Sequence, residues 1–245
     1  MRVAVVTPYY RTPDAWLRMC HESVRAQTHP CTHILVADGI AQEIVQHFDS
    51  QHIVLSQGHA DYGDTPRAIG SMSAIGQGFD AITYLDADNW YEPDHISSLV
   101  ELHRSTGSAI CTSMRNFHHV NGQKLATCLS SDGEIFCDTN CLMLFRSAFS
   151  LCSVWALMEP DEHAIDDRVV WYRILQSGAS HAHSRCATLA YRATHAGIYK
   201  DLGLTVPQGV KNGPAIGDAL QRWEAKGNPP LKVNWRYSVP QRKTE

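Results

Sequence analysis

The first 112 residues alternate short, apolar, β-branched runs with helical stretches, and this alternation leaves the chain few folds. Residues 2–6 (RVAVV) read as a buried parallel strand, because such a strand is covered on both faces and need not alternate apolar with polar. Thr12 and Pro13 mark the start of a helix that runs to about Gln27 and stops before Pro30. THILVADG predicts a second strand, AQEIVQHF a short helix and HIVLS a third strand. A polar loop spans Gln57–Thr65, and Pro66 opens a helix toward Gln77. AITYLDADN reads as a fourth strand ending in acids, residues 93–105 as a helix and SAICTSM as a fifth strand. Strands joined by helical crossovers give an α/β fold: a mostly parallel, Rossmann-like sheet with helices on both faces.

Beyond residue 112 the pattern becomes mixed. Asn121-Gly122 lies between strand-like runs and predicts a hairpin. CLMLFRSAF predicts a strand leading into a short helix, and CATLAYRATH a late strand. AIDDRVVWYRILQSG predicts an amphipathic helix capped by Gly178. Residues 201–245 are rich in Gly and Pro, with one short helix around Ile216–Ala225. A length of 245 residues suits a single domain with two intimately packed halves, 1–112 and 113–200, and a tail over 201–245.

Apolar residues make up 44% of the chain and charged residues 19%, enough to bury a core. A net charge of −4 lacks the basic footprint of a nucleic-acid binder. The N-terminal apolar run is too short for a secretory signal, and no stretch reaches the ~20 apolar residues of a membrane span. The expectation is a cytoplasmic protein whose eight cysteines are reduced thiols. Cys137 and Cys141 are four apart with Cys128 nearby, but no C-x-x-C pair marks a structural zinc site. His118-His119 and His181-x-His183 are pairs of a kind more often found satisfied in the fold than bound to a metal. In the tail, Lys232, Arg236, Arg242 and Lys243 among Trp235 and Tyr237 would allow a peripheral membrane contact, although a solvated tail is the plainer reading.

The chemistry concentrates at Tyr84-Leu85-Asp86-Ala87-Asp88-Asn89. Open α/β sheets bind ligands at the carboxyl ends of their strands. Two carboxylates two residues apart at such an end repel unless a positive charge lies between them. A divalent cation such as Mn²⁺ or Mg²⁺, which prefers oxygen ligands, would supply it and would bridge to a diphosphate. A bare D-x-D recurs by chance as helix-cap and loop acids. The apolar strand before it and the N-W-Y-E-P-D helix start after it favour the metal reading.

With those blocks in order, residues 2–200 resemble the family 2 glycosyltransferases of the GT-A fold. VAVVTPYYR, HILVADG, AITYLDADNWYEPDHI, CDTNCLMLFRSAF and IDDRVVWYRILQSG carry the resemblance. It implies that residues 1–112 bind a nucleotide-sugar and that 113–200 form the acceptor and catalytic half. Pro8 and Tyr10 match the loop lining the nucleobase pocket. Asp38 matches the acid that hydrogen-bonds the base, often uracil. Arg67 matches an arginine near the donor, although its spacing to D-x-D is a little long. Asp88 matches the metal-holding acid, and Asp86 a more variable acid near ribose or metal. Asp167 matches the general base of inverting members, with Asp166 as runner-up. His195 resembles a late histidine that some GT-A enzymes add to the metal site. The second strand ends in A-D-G where the family more often has a double acid.

The implied activity is metal-dependent transfer of one sugar, with inversion, from a nucleotide-sugar (UDP favoured) to an acceptor hydroxyl. The acceptor could be a carbohydrate, lipid-linked or of another kind. Asn140, Trp90 and Trp171 are further candidates for sugar or acceptor contacts. Long C-terminal extensions and membrane helices of processive synthases are missing, which favours a single transfer. A haloacid-dehalogenase-type phosphotransferase would place its D-x-D on the first strand. A nucleotidyltransferase would need a Gly-rich basic loop where TPYYRTP stands. The alternative of another class is a non-catalytic nucleotide-sugar-binding or scaffold protein.

Overall fold

The computed structural model describes residues 1–213 and 215–240. The first half runs β1 (Val3–Tyr9), α1 (Asp14–Arg25), β2 (Cys31–Ala37), β3 (Gln51–Val54), α2 (Asp64–Gly76) and β4 (Ala81–Tyr84). β5 (Trp90–Tyr91), α3 (His95–Thr106), β6 (Ile110–His118), β7 (Lys124–Cys128), β8 (Leu142–Phe145) and α4 (Ser153–Ala156) follow. The chain ends with α5 (Asp166–Ser177), β9 (His181–Arg192), α6 (Ala196–Asp201), α7 (Ile216–Ala225) and β10 (Tyr237–Ser238). One sheet has the order β10-β7-β6-β8-β4-β1-β2-β3, with β9 beside β6 and β5 beside β9.

β3, β2, β1 and β4 are parallel, as the crossover pattern predicts. From β8 onward the sheet is mixed: β8 runs antiparallel to both β4 and β6, while β6 and β9 are parallel. The two faces are covered by different helices, and side-chain alternation shows it. On β1, Val6 faces α2, where a Cβ on Gly70 would lie 2.4 Å from its Cγ1. Its neighbour Thr7 faces α1, meeting Cys20 Sγ at 4.0 Å and His33 Nε2 at 2.8 Å. His33 meets His21 of α1 through their Nδ1 atoms at 2.9 Å, and burial drives the His33 pKa down to about 3. These histidines are core polar groups satisfied by each other and by Thr7.

Local details depart from the sequence expectations for physical reasons. The short helix after β2 is a 3-10 turn over Glu43–His47. α2 starts at Asp64, before Pro66, which a first helical turn tolerates because its N–H has no intrahelical partner. β4 ends at Tyr84, so the acids lie on a loop beyond the strand. The Asn121-Gly122 hairpin joins β6 to β7, and Gly122 takes the left-handed φ of +93° that the turn requires. Gly178 likewise caps α5 at φ 69°.

All eight cysteines are free, and Cys128, Cys137 and Cys141 are buried without forming a zinc cluster among the described residues. His118 bonds the Gly122 carbonyl at 2.8 Å and His183 the Thr112 hydroxyl at 2.8 Å, both as parts of the fold. The segment after α6 is not a loose solvated tail. α7 buries Trp223, β10 pairs with β7, and Trp235 meets Phe136 edge-on at 5.2 Å. The rings that would anchor a peripheral membrane contact are thus turned onto the protein, with Arg236 drawn to Asp132 at 3.5 Å. Arg242 and Lys243 lie outside the described residues. Among those residues, no helix is long and apolar enough to cross a membrane.

Candidate active site

Because β1, β2 and β4 are parallel, their carboxyl ends share one edge of the sheet, and the loops after them converge there. They border a cleft of about 1020 Å³. Pro8, Tyr10, Asp38, Arg67, Asp86, Asp88, Asp166, Asp167 and His195 all line it, as does Asn140. Trp171 does not: it is buried, and its indole N–H donates to the Glu134 carbonyl at 3.2 Å. Trp90 is also outside the cleft, with the Arg192 guanidinium over its ring at 4.8 Å.

At the end of β2, Asp38 is held by the loop that follows β3. The His59 N–H reaches its carboxylate at 3.0 and 3.1 Å, the His59 ring Nδ1 at 2.8 Å and the Ala60 N–H at 3.4 Å. Gly39 lets the two loops touch: at φ +84°, an added Cβ would sit 2.4 Å from the Gly58 nitrogen.

Arg67 is the hub of the site. Its buried guanidinium donates to Asp86 at 2.6 Å, to Asp166 at 3.3 Å, to Asp64 at 3.5 Å and to the Tyr62 carbonyl at 3.1 Å. Three carboxylates around one cation do not balance in charge, and burial adds to the cost of ionising all of them. The Asp64 pKa is therefore pushed up to about 7, while Asp166 is raised well above the ordinary carboxylate range by burial and by Asp64. His163 meets Asp64 at 2.7 Å.

Asp167 stands apart from that cluster. Burial and Asp138 push its pKa up to about 6, while Arg168 and Arg115 oppose them. It is thus mostly ionised at neutral pH, and unlike its neighbour it makes no ion pair with Arg67 among the described residues. Asp88 is half-buried, and burial followed by repulsion from Asp86 pushes it up to about 6. Among the described residues, its Oδ2 accepts only a long 3.4 Å bond from the Thr194 hydroxyl. His195 Nδ1 is buried with no partner among the described residues. A carboxylate with no ion pair among the described residues and an unpartnered imidazole nitrogen, both of residues that line the cleft, fit a cation. No three His, Cys, Asp or Glu among the described residues form a ready cage. Mg²⁺-type sites usually complete their coordination with phosphate oxygens and water.

Asn140 is expected from the sequence only as a sugar or acceptor contact, and Asp138, Arg115 and Arg192 are not singled out there at all. Asn140 accepts the Asp86 N–H on its side-chain oxygen, and its Nδ2 donates to Asp86 and to Asp138, each at 2.8 Å. Asp138 in turn pairs with buried Arg115. The Arg115 guanidinium lies over Phe117, Tyr191, Phe136 and Trp235 at 4.8–5.4 Å. Arg192 Nε donates to the Asp88 carbonyl at 2.9 Å, and its backbone N–H to Asn89 at 2.8 Å, which fixes the acidic loop. The usable signal was an arginine inside an apolar strand, since arginine is rarely buried unpaired.

Comparison with known proteins decides the family. Residues 4–158 match the family described as Glycosyl transferase family 2. The chain belongs to that family. The match includes the Asp86–Asp88 loop and ends before the Asp166–Asp167 pair. Comparison with curated proteins gives no match. Among solved structures, S. aureus TarS 1–349 in complex with UDP is similar with a TM-score of 0.60 and 11% identity, over 78% of this chain and 60% of TarS 1–349. The same TarS fragment in complex with UDP-GlcNAc gives 0.58 and 13%, over 78% and 58%. The family 2 chain thus spans about three-fifths of those TarS chains. At such identities the likeness concerns the fold, and the GT-A architecture expected from the sequence is the one found.

Proposed function

We propose that this family 2 chain is a metal-dependent, inverting glycosyltransferase that moves one sugar from a UDP-sugar to an acceptor hydroxyl. The observation that carries the reading is the division of labour among carboxyls on one cleft. Asp166 is tied to Arg67, Asp88 forms no ion pair among the described residues although Arg192 lies near it, and Asp167 lies outside the Arg67 cluster and is ionisable near neutrality. The choice of UDP is supported by the TarS complexes with UDP and UDP-GlcNAc and by Asp38 beside Pro8 and Tyr10 in the cleft.

Asp88, with Asp86 and His195, would hold Mn²⁺ or Mg²⁺, which when bound supplies positive charge to the departing diphosphate. Arg67 fixes Asp86, and Asn140 fixes it from the other side. Asp167 accepts the proton of the acceptor hydroxyl as its oxygen bonds the anomeric carbon and the bond to the diphosphate breaks. Attack from the face opposite the leaving group inverts that carbon. Asp166 is the poorer base, because its carboxyl is turned to Arg67 and paired with it. The acceptor is a carbohydrate, lipid-linked or other hydroxyl. Eight free cysteines suit a reducing compartment, and we place the protein in the cytoplasm.

The test is a thermal-shift panel of UDP, GDP, CDP, dTDP and ADP, with and without Mn²⁺, on wild type and Asp88→Asn. A ligand bound only by the native state raises stability by mass action. UDP should stabilise the wild type only with Mn²⁺ and should not stabilise Asp88→Asn. Equal UDP stabilisation of both proteins removes the metal assignment. No response to any nucleotide favours a non-catalytic scaffold.

A further inference from the structure

We infer that Tyr62 is a nucleotide contact whose ring stacks on the base of the donor, an inference that rests on the donor reading above. The loop between β3 and α2 is pinned at both ends. Asp38 takes the His59 and Ala60 N–H groups at one end. At the other, Asp61, only 5% exposed, accepts the Gly63 N–H at 3.1 Å and the Thr65 N–H at 2.9 Å. Between the pins, Ala60 and Tyr62 are held at φ 55° and 57°, left-handed conformations unfavourable for a residue with a Cβ.

Nothing among the described residues accounts for placing a bulky ring there. The Tyr62 residue is 58% exposed, and its ring stacks on no other aromatic ring among the described residues. It lines the cleft together with Pro8, Tyr10 and Asp38. Its carbonyl is bonded by the Arg67 guanidinium at 3.1 Å, so the strained residue is fastened to the group that joins Asp86 and Asp166. Gly63 completes the placement: at φ +96°, an added Cβ would meet Pro8 at 3.0 Å. Strain retained at a rigidly held, solvent-facing position points to a ligand. A flat apolar ring beside a carboxylate suits a nucleobase, whose face stacks on the phenol while its edge donates to Asp38. Stacking tolerates any base, so Tyr62 adds affinity and Asp38 adds choice.

Calorimetric titration of UDP in the presence of Mn²⁺ tests this on wild type, Tyr62→Phe, Tyr62→Ala and Tyr62→Gly. Phe should bind as wild type does, whereas Ala and Gly should bind about tenfold more weakly. Gly should melt about 2–4 °C above Ala, because only glycine adopts the left-handed backbone freely. Wild-type affinity in Tyr62→Ala, or equal melting of Ala and Gly, overturns the inference. If wild type itself binds no UDP, the donor reading fails first and the inference falls with it.

Discussion

The loop around Asp38, on the proposed donor side of the cleft, and the network around Arg115, on the proposed acceptor side, hold their groups by different means. In the donor half, Asp38 and Asp61 are fixed mainly by backbone N–H groups of one loop. In the acceptor half, the groups are fixed by buried charge pairs reaching across the sheet: Arg115 to Asp138, and through Asn140 to Asp86. Backbone donors survive a side-chain change, whereas a buried ion pair that loses one member leaves the other uncompensated. The loop around Asp38 should therefore tolerate loss of a side-chain contact, whereas the Arg115 network, like Arg67 with its three carboxylates, should not.

The largest expected effect sharpens the contrast within the acceptor half. Asp167→Asn should lower transfer by about 10²–10⁴-fold, the range of a lost general base, with UDP affinity unchanged. Asp166→Asn should instead disturb Arg67, and should change UDP affinity and stability more than turnover. Rate measurements at saturating donor and acceptor separate the two. Normal turnover in Asp167→Asn would move the base elsewhere.

Arg115→Met comes next. It strands Asp138 in a buried site and should cost about 3–5 kcal/mol, measured by urea unfolding. A cost under about 1 kcal/mol would mean that the aromatic rings, and not the charge pair, hold this region, and the contrast between the halves would break.

Legibility follows the same division. Asp86, Asp88 and Asp38 were readable because a parallel strand's end is a local signal: an apolar run followed by an acid. Gly122 and Gly178 were readable because their conformations follow from a few neighbours. Arg115, Asp138 and Arg192 were not, since their roles depend on partners such as Asp88 and Trp235 far along the chain. The split between Asp166 and Asp167 also needed coordinates. As sequence they are twin helix-start acids, and only Arg67 and Asp64 set one apart. The tail was misjudged for the same reason, because Trp235 finds its place on Phe136 only when the sheet has formed.

The pH dependence tests Asp167 without a substitution. Its pKa of about 6 lies above the ordinary 3.8, so kcat/KM, which reports the groups of the free enzyme, should fall as pH drops through about 6. Stability runs the other way. A raised native pKa means that the folded state binds the proton more tightly than the unfolded chain does. The resulting stabilisation is complete below about pH 4 and is lost as pH rises through about 6. Asp167→Asn should therefore melt above wild type at pH 8, with the gap closing toward pH 4. A gap independent of pH would remove the raised pKa from the account.

The smallest effect belongs to the donor half. His59→Ala removes the imidazole contact to Asp38 and leaves the His59 and Ala60 N–H bonds in place. The His59 side chain is partly exposed, and the bond it gives up can be replaced by water. The cost in stability should stay under about 1 kcal/mol, and UDP affinity should change less than in Tyr62→Ala. If His59→Ala were as damaging as Arg115→Met, the backbone bonds would not suffice to fix Asp38. Both regions would then depend on side-chain pairs, and the tolerance expected of the loop around Asp38 would have no physical basis.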